Sequence, residues 1–312
     1  QRALVSLVTD EITLELNLNN LDRLADYERL AEDDDLTTQQ KLAFALTGWF
    51  LGPGNGNDDL AVATSLWSVR NIVSDYFAAT TPQDREDLLD KLNEQEGGAA
   101  EYVADLVAHL KLNPTLPEPT EVPGLHRLQT EPQGSLPPMD YVVQLPPDYD
   151  PYRRYPCIVA MHGGAGPEHQ ISWWAGPYNP ALKMRLGQAS RHGYVVIAPE
   201  WKQSSRNEYQ FTMAEHHAVL ASLRDAMLRF SIDSDQVFLT GYSHGANGAW
   251  DIALSHPDIW AGMALFSPNG LKYVTKYWPN AKGLPMYFIF GELDNSMLVS
   301  NALHLDRYLN QP

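Results

Sequence analysis

The pattern of apolar and polar residues changes near Met139. After this point, short apolar runs rich in β-branched and aromatic residues alternate with longer amphipathic segments, as strands alternate with helices. Such alternation predicts an α/β fold, with a mainly parallel sheet covered by helices on both faces. The predicted strands are residues 141–145, 157–161, 194–198, 236–239, 260–266 and 286–290, and the predicted helices are residues 180–192, 212–230, 246–256 and 299–309.

The first 112 residues follow a helical pattern instead. Thr37 and Gln40 form a capping box at the start of one helix. Thr81 followed by Pro82 gives an N-cap and a proline at the first position of a later helix. Together with two further helical segments, these signals predict a small all-helical domain. The predicted helices begin near residues 37, 58, 81 and 99.

Two stretches are harder to assign from the pattern. Residues 12–24 fit either an alternating strand or a helical stripe of leucines, and the helix is the preferred interpretation. Residues 113–138 are rich in proline, which predicts a linker or an extended segment, with one short strand near 125–130. The predicted organisation is a helical domain over 1–112, a linker over 113–138 and an α/β domain over 139–312.

Charge and composition exclude several classes of function. The chain has a net charge of −17, and residues 1–112 carry most of it. An acidic surface disfavours nucleic acid and anionic membranes as partners. Apolar runs are shorter than the ~18 residues that a membrane span needs. The single cysteine, Cys157, excludes an internal disulfide. The sequence predicts neither a localisation nor the protein partner of the helical segment.

The motif Gly241-Tyr242-Ser243-His244-Gly245 follows a predicted strand and opens a predicted helix. Gly-x-Ser-x-Gly in this context is a nucleophile elbow, a strand-to-helix turn too tight for side chains at either glycine. The turn lifts the serine hydroxyl above the edge of the sheet, where a base can reach it. The motif alone is weak, because glycine and serine are common, but its position makes Ser243 the candidate nucleophile.

A glycine-rich loop, His162-Gly163-Gly164-Ala165-Gly166, follows an earlier predicted strand. Acyl transfer passes through an oxyanion that backbone N–H groups stabilise, and glycines let the backbone approach the substrate. Gly163 or Gly164 is therefore expected to supply one donor, and the N–H of His244 the other. The alternative is a glycine-rich turn without a catalytic role.

A third motif, Gly291-Glu292-Leu293-Asp294, follows the last predicted strand. A carboxylate at this place would accept a hydrogen bond from a catalytic imidazole and fix its tautomer. Asp294 is the preferred acid and Glu292 the reserve. An ordinary loop carboxylate is the alternative.

On these motifs, residues 139–312 resemble the α/β-hydrolase superfamily. The segment from Tyr141 to Asp150, then Tyr155-Pro156 and the His162-Gly163-Gly164 loop, is similar to the opening of esterase D, feruloyl esterase and phospholipase/carboxylesterase-like domains. The resemblance implies a serine hydrolase that cleaves small carboxylic esters through an acyl-enzyme, without a cofactor. The alternatives are a prolyl-oligopeptidase-like serine peptidase and a non-catalytic binding protein with a hydrolase fold.

The resemblance also implies the order serine, acid, histidine along the chain. His304 is the only histidine after Asp294 and lies in a predicted helix at the flank of the sheet. We therefore expect the catalytic histidine, and the strand before it, beyond Pro312. His244, His216 and His217 are weaker candidates for the base.

Substrate contacts are expected from two loops that follow predicted strands, residues 165–180 and 200–211. Their aromatic residues Trp173, Trp174 and Trp201 could hold an acyl chain or stack on a sugar or phenolic ring, or they could pack against the sheet. The spacing of histidine, aspartate and glutamate predicts no metal site, and one cysteine cannot form a thiolate cluster.

Overall fold

The computed structural model describes residues 20–79, 81–110, 120–132, 136–202, 208–269 and 277–294, together with residues 12, 16, 18 and 301. The chain divides into two compact units, Gln1–Leu112 and Asn113–Pro312. Within the described residues, no helix has the length and apolar character to cross a membrane.

The first unit is helical in its described residues. Its helices are α1 (Ala25–Leu30), α2 (Thr38–Leu51), α3 (Leu60–Ala78), α4 (Pro82–Asn93) and α5 (Ala100–His109). The capping box of Thr37 and Gln40 is present in both directions, and the Thr81 side chain caps α4. The four predicted helices α2 to α5 are thus confirmed, because local cap and breaker signals define their starts. The described residues do not include 13–15, 17 and 19, so the helix preferred for 12–24 is not tested there, and Leu21–Leu24 form a 3₁₀ turn.

The second unit contains a seven-stranded sheet in the order β1-β2-β6-β3-β7-β8-β9. The pairs β1–β2 and β2–β6 are antiparallel, and the other neighbours are parallel. Each strand predicted after Met139, and the short strand near residue 125, is confirmed. The strands are β1 (Leu125–Gln129), β2 (Asp140–Gln144), β3 (Tyr155–Met161), β6 (Val195–Pro199), β7 (Ile232–Tyr242), β8 (Gly262–Phe266) and β9 (Met286–Ile289).

Helices cover both faces of this sheet. Alternate residues of a strand point to opposite faces. Val159 of β3 packs in a core with α8 (Met213–Arg229) and α9 (His244–Ser255). The next residue along the strand, Ala160, joins the opposite core with α6 (Pro167–Ala175) and α7 (Gln188–Arg191). The predicted fold, a mainly parallel sheet between helices, is therefore confirmed.

The predicted helix 180–192 is wrong. A short hairpin of β4 (Tyr178–Asn179) and β5 (Met184–Arg185) occupies its first half, and only α7 is helical. At the base of the hairpin the chain crosses itself so closely that a Cβ on Gly176 would lie 2.4 Å from the backbone nitrogen of Gly187. This contact between residues far apart in the loop prevents a continuous helix.

Two other helices differ from the sequence prediction or lie beyond its test. The helix α6, which begins with Pro167 at its first position, is absent from the prediction. The predicted helix 299–309 lies outside the described residues except for Asn301.

Candidate active site

The register of the sheet brings the three sequence motifs to one edge. Met161 pairs with Gly241, Tyr242 with Phe266, and Phe266 with Ile289. These pairs are parallel, so the residues that follow each strand meet at the carboxyl edge, where ligands bind in open α/β sheets. The glycine-rich loop (residues 162–166), the nucleophile turn (residues 241–245) and the acid turn (residues 291–294) are thus neighbours in space.

Ser243 lies in a strained turn between β7 and α9. Its backbone has φ +55° and ψ −118°, a conformation that residues other than glycine rarely adopt. The Ser243 N–H donates to the carbonyl oxygen of Phe266 at 2.9 Å, which ties the turn to β8. A Cβ on Gly241 would lie 2.2 Å from the oxygen of Gly245, and one on Gly245 would lie 2.3 Å from the oxygen of Met161. Backbone packing therefore requires both glycines of the motif.

The glycine-rich loop lies directly beside the serine. A Cβ on Gly163 would lie 3.3 Å from the Cβ of Ser243 and 2.8 Å from the oxygen of Tyr242. His244 is the first residue of α9. Its N–H is one of the donors that a helix cannot satisfy internally, and the helix dipole favours negative charge at this end. An oxyanion formed at Ser243 would therefore lie near backbone donors from both the loop and the helix.

Three side chains behind this loop form a network that the motifs did not reveal. The Trp201 indole Nε1–H donates to the carbonyl oxygen of His162 at 3.0 Å. The His162 ring contacts Glu200 Oε1 through Nε2 at 3.0 Å and the Gly163 oxygen through Nδ1 at 3.2 Å. Trp201 is 1% exposed, so its side chain presents no surface to a substrate in this structure. One signal in the sequence points to this network. His162 and Glu200 each directly follow an apolar strand, and these two strands are neighbours in the sheet.

The network also affects the charge of Glu200. Burial raises the pKa of this carboxyl group, but the hydrogen bond and charge of His162, with Lys202 nearby, outweigh burial and leave the pKa below its ordinary value. Glu200 is therefore a carboxylate at neutral pH and accepts from the imidazole.

The acid turn places Asp294 at the same edge of the sheet. Asp294 Oδ2 accepts a short hydrogen bond from the Ser267 hydroxyl and a longer one, 3.4 Å, from the Gly291 N–H. Ser267 follows β8, and its N–H donates to Ile289 of β9 at 2.8 Å. Asp294 is half-buried, whereas Glu292 is exposed. Of the two candidate acids, only Asp294 has an oriented carboxylate.

The hydrogen bonds of histidine rings in the described residues are made to groups other than Ser243 and Asp294. His216 Nε2 lies 2.9 Å from Asp251 Oδ2 on α9, and its Nδ1 lies 3.3 Å from His256 Nε2. Within the described part of the chain, no hydrogen bond joins a histidine ring to the Ser243 hydroxyl or to Asp294. His304 falls outside the described residues.

An open aromatic cleft lies next to the serine. It has a volume of about 700 Å³ and is lined by Gly164, Ala165, His169, Ser172, Trp173 and Tyr242. Trp173 is 42% exposed and packs its ring 5.3 Å from that of Tyr242 and 5.2 Å from that of Phe266. Trp174 is half-buried and lines a separate apolar pocket of about 420 Å³ on the sheet. The described residues contain no group of histidine, cysteine and acidic side chains that could hold a metal.

The known proteins to which this chain is similar share little sequence identity with it. No family model matches the chain. It is 26% identical over 203 residues to dipeptidyl-peptidase 5 of Porphyromonas gingivalis, which covers 63% of this chain and 28% of that protein. The chain thus spans less than a third of the length of this relative.

Two solved structures are similar to parts of the chain. One is a thermostable esterase, with 19% identity, 60% of this chain and 51% of the other covered, and a TM-score of 0.44. The second is the fluorophosphonate-binding serine hydrolase FphF of Staphylococcus aureus, with 16% identity, 60% and 87% covered, and a TM-score of 0.45. The α/β fold predicted from the sequence is confirmed by the strand order and by the helices on both faces of the sheet.

Proposed function

We propose that this chain is a serine hydrolase that cleaves carboxylic esters through an acyl-enzyme on Ser243. The observation that carries the proposal is the strained turn of Ser243, placed against Gly163 and at the first turn of α9. Strained backbone of this kind persists where the surrounding structure fixes it, and it is concentrated at active sites.

Each residue has a defined role in the proposed reaction. The Ser243 hydroxyl attacks the ester carbonyl while an imidazole takes its proton, and Asp294 orients that imidazole. The oxyanion of the tetrahedral intermediate accepts hydrogen bonds from the N–H groups of Gly163 or Gly164 and of His244. The protonated imidazole then gives its proton to the leaving alkoxide. A water molecule then attacks the acyl-enzyme through the same steps, which releases the acid and restores the Ser243 hydroxyl. We place the imidazole on a histidine outside the described residues.

The orientation of Asp294 supports its assignment as the acid. Ser267 and Gly291 both donate to Oδ2, so the other oxygen, Oδ1, is left to accept from an imidazole. Glu292 has an exposed side chain and no comparable support.

The aromatic cleft supports an ester with a bulky or ring-shaped group. We assign Trp173 to the wall of the substrate site, because it is exposed beside Tyr242, the residue before the nucleophile. Trp174 borders the second pocket and is the weaker candidate for a substrate contact. An aromatic face binds flat rings and apolar chains alike. The cleft therefore favours esters with a large apolar group but does not identify one substrate.

A second candidate function is peptide hydrolysis, which the similarity to a dipeptidyl-peptidase favours. The nucleophile, acid and oxyanion donors would be the same, and only the leaving group would differ. A non-catalytic binding protein with this fold is the third alternative.

One experiment separates the three functions. The protein is expressed from its complete gene, so that a histidine beyond Pro312 would be present, and is incubated with a fluorophosphonate probe. It is assayed on p-nitrophenyl esters and on dipeptidyl p-nitroanilides, beside Ser243→Ala and the control Ser234→Ala, which changes an exposed serine of β7. We expect labelling and ester hydrolysis in the wild type and the control, and neither in Ser243→Ala. Hydrolysis of the anilides alone would establish the peptidase, and absence of labelling would favour the binding protein.

A further inference from the structure

The loop beside Ser243 is held by buried side chains from a neighbouring strand. Trp201 and Glu200 follow β6, and His162 follows β3. These strands are parallel neighbours in which Val159 pairs with Ile197. Continuing that register places His162 opposite Glu200, in agreement with the 3.0 Å contact between their side chains. The network is therefore a consequence of strand pairing and does not depend on a flexible loop.

The peptide group between His162 and Gly163 is fixed by this network. In a trans peptide the carbonyl oxygen and the following N–H lie in one plane and point in opposite directions. The Trp201 indole binds the carbonyl oxygen of His162, so it fixes the direction of the Gly163 N–H. The His162 Nδ1 lies 3.2 Å from the carbonyl oxygen of Gly163, but a neutral imidazole that donates to Glu200 through Nε2 has no second N–H to donate there. The Gly163 N–H, one of the candidate oxyanion donors, is thus the group that is oriented through its peptide plane.

The network is itself rigidly supported. The Trp201 ring lies 5.3 Å from the His162 ring and 5.8 Å from the ring of Tyr209. The Tyr209 hydroxyl donates to Asp251 on the nucleophile helix α9 at 2.9 Å. Because Trp201 and Tyr209 are buried, losing either hydrogen bond leaves a polar group without a partner in a site that water does not reach.

We propose that Trp201, supported by its packing against His162, is a positioning residue that preorganises the Gly163 N–H as an oxyanion donor of the Ser243 site. The inference rests on the proposed function, because it assigns a role to the Gly163 N–H group in acyl transfer. Trp201 does not touch the substrate. It acts through the carbonyl oxygen of His162, so its contribution appears when the oxyanion forms and not when the substrate binds.

The test compares two tryptophan variants. Trp201→Phe keeps a buried aromatic ring and removes the hydrogen bond to His162. Trp260→Phe is the matched control, because Trp260 is also buried and its indole Nε1 has no partner among the described residues. For Trp201→Phe we expect kcat for ester hydrolysis to fall by about 10- to 100-fold, less than the loss of a whole oxyanion donor, with KM within a factor of about two. For Trp260→Phe we expect kcat to stay close to the wild-type value.

A second readout tests the oxyanion directly. A boronic acid inhibitor forms a tetrahedral adduct with the serine, and the adduct needs the same N–H donors as the transition state. Its affinity should fall in Trp201→Phe in parallel with kcat/KM and stay unchanged in Trp260→Phe. Equal kcat in the two variants, or a loss confined to KM, would overturn the proposal.

A third measurement separates this proposal from the proposed function. In a crystal structure of Trp201→Phe we expect the peptide between His162 and Gly163 to rotate, whether or not the wild type hydrolyses esters. An unmoved peptide plane would refute the positioning role even in an active enzyme. Conversely, a rotated peptide in a protein that neither labels nor hydrolyses esters would retain the positioning role and reject the catalytic assignment.

Discussion

The nucleophile turn (residues 241–245) and the acid turn (residues 291–294) lie at the same edge of the sheet but are held in different ways. In the nucleophile turn, backbone atoms approach the glycines more closely than any Cβ allows. In the acid turn, a Cβ on Gly291 would lie 3.6 Å from Asp294 Oδ2, an ordinary contact. The position of Asp294 depends on a hydroxyl from another strand, Ser267. One turn is fixed by sterics and the other by hydrogen bonds, so the two should respond differently to substitution.

The largest expected effect is on the chemistry of the acid turn. On the role proposed for Asp294, Asp294→Asn keeps the shape of the side chain but removes the charge that would select the imidazole tautomer, and we expect kcat to fall by about 10²–10⁴. Glu292→Gln is the matched control in the same turn, with activity expected near the wild-type level because the side chain is exposed. Steady-state ester hydrolysis measures both. A larger loss in Glu292→Gln than in Asp294→Asn would exchange the roles of the two carboxylates.

The next effect comes from the steric packing of the nucleophile turn. In Gly245→Ala the new methyl group would lie 2.3 Å from the oxygen of Met161, so the turn has to shift. We expect a loss of about 1–3 kcal/mol in the free energy of unfolding and about 10²-fold in activity.

Gly291→Ala provides the comparison, since its Cβ meets only an ordinary contact. We expect nearly unchanged stability and activity, measured by urea unfolding and ester hydrolysis. Similar losses in the two variants would show that the acid turn is as sterically restricted as the nucleophile turn.

A smaller effect is expected where the acid turn depends on a hydrogen bond. Ser267→Ala removes one donor to Asp294 Oδ2 and leaves the Gly291 N–H in place. A hydrogen bond to a charged group contributes about 1.5–3 kcal/mol, but the carboxylate keeps its second donor, so we expect activity to fall by about tenfold. The double variant with Asp294→Asn should lose little more than Asp294→Asn alone. Additive losses would mean that Ser267 acts independently of the carboxylate.

The same contrast explains what could be predicted from the sequence. The turn at Ser243 has a steric cause that leaves glycines at fixed spacing, and the capping box at Thr37 is equally local. The sequence predicts Trp201 as a substrate contact, because this residue lies in a loop after a strand. Its actual partner is the carbonyl oxygen of His162, far away in the chain, and only the pairing of β3 with β6 brings the two together. Long-range hydrogen bonds between loops leave no periodic pattern in a single sequence.

The helix that follows the nucleophile turn carries a titratable group at its far end, and pH provides the last and smallest test. There, the ring of His256, which follows the last residue of α9, faces His216 and the carboxylates of Asp251 and Asp258. Burial lowers the pKa of His256 from its ordinary value of 6.5, and the charge of His216 lowers it further, against the partial opposition of the two carboxylates.

A lowered histidine pKa has a defined sign for stability. Above pH 6.5 the ring is neutral in both states, but as the pH falls below 6.5 the unfolded chain binds the proton first. The free energy of unfolding should therefore decrease until the pH reaches the folded pKa. Urea unfolding between pH 8 and 5 should show a shallower decrease in His256→Gln, whereas His192→Gln, at an exposed histidine, should follow the wild type. If all three proteins lose stability with the same slope, the loss of stability at low pH is caused by groups other than His256.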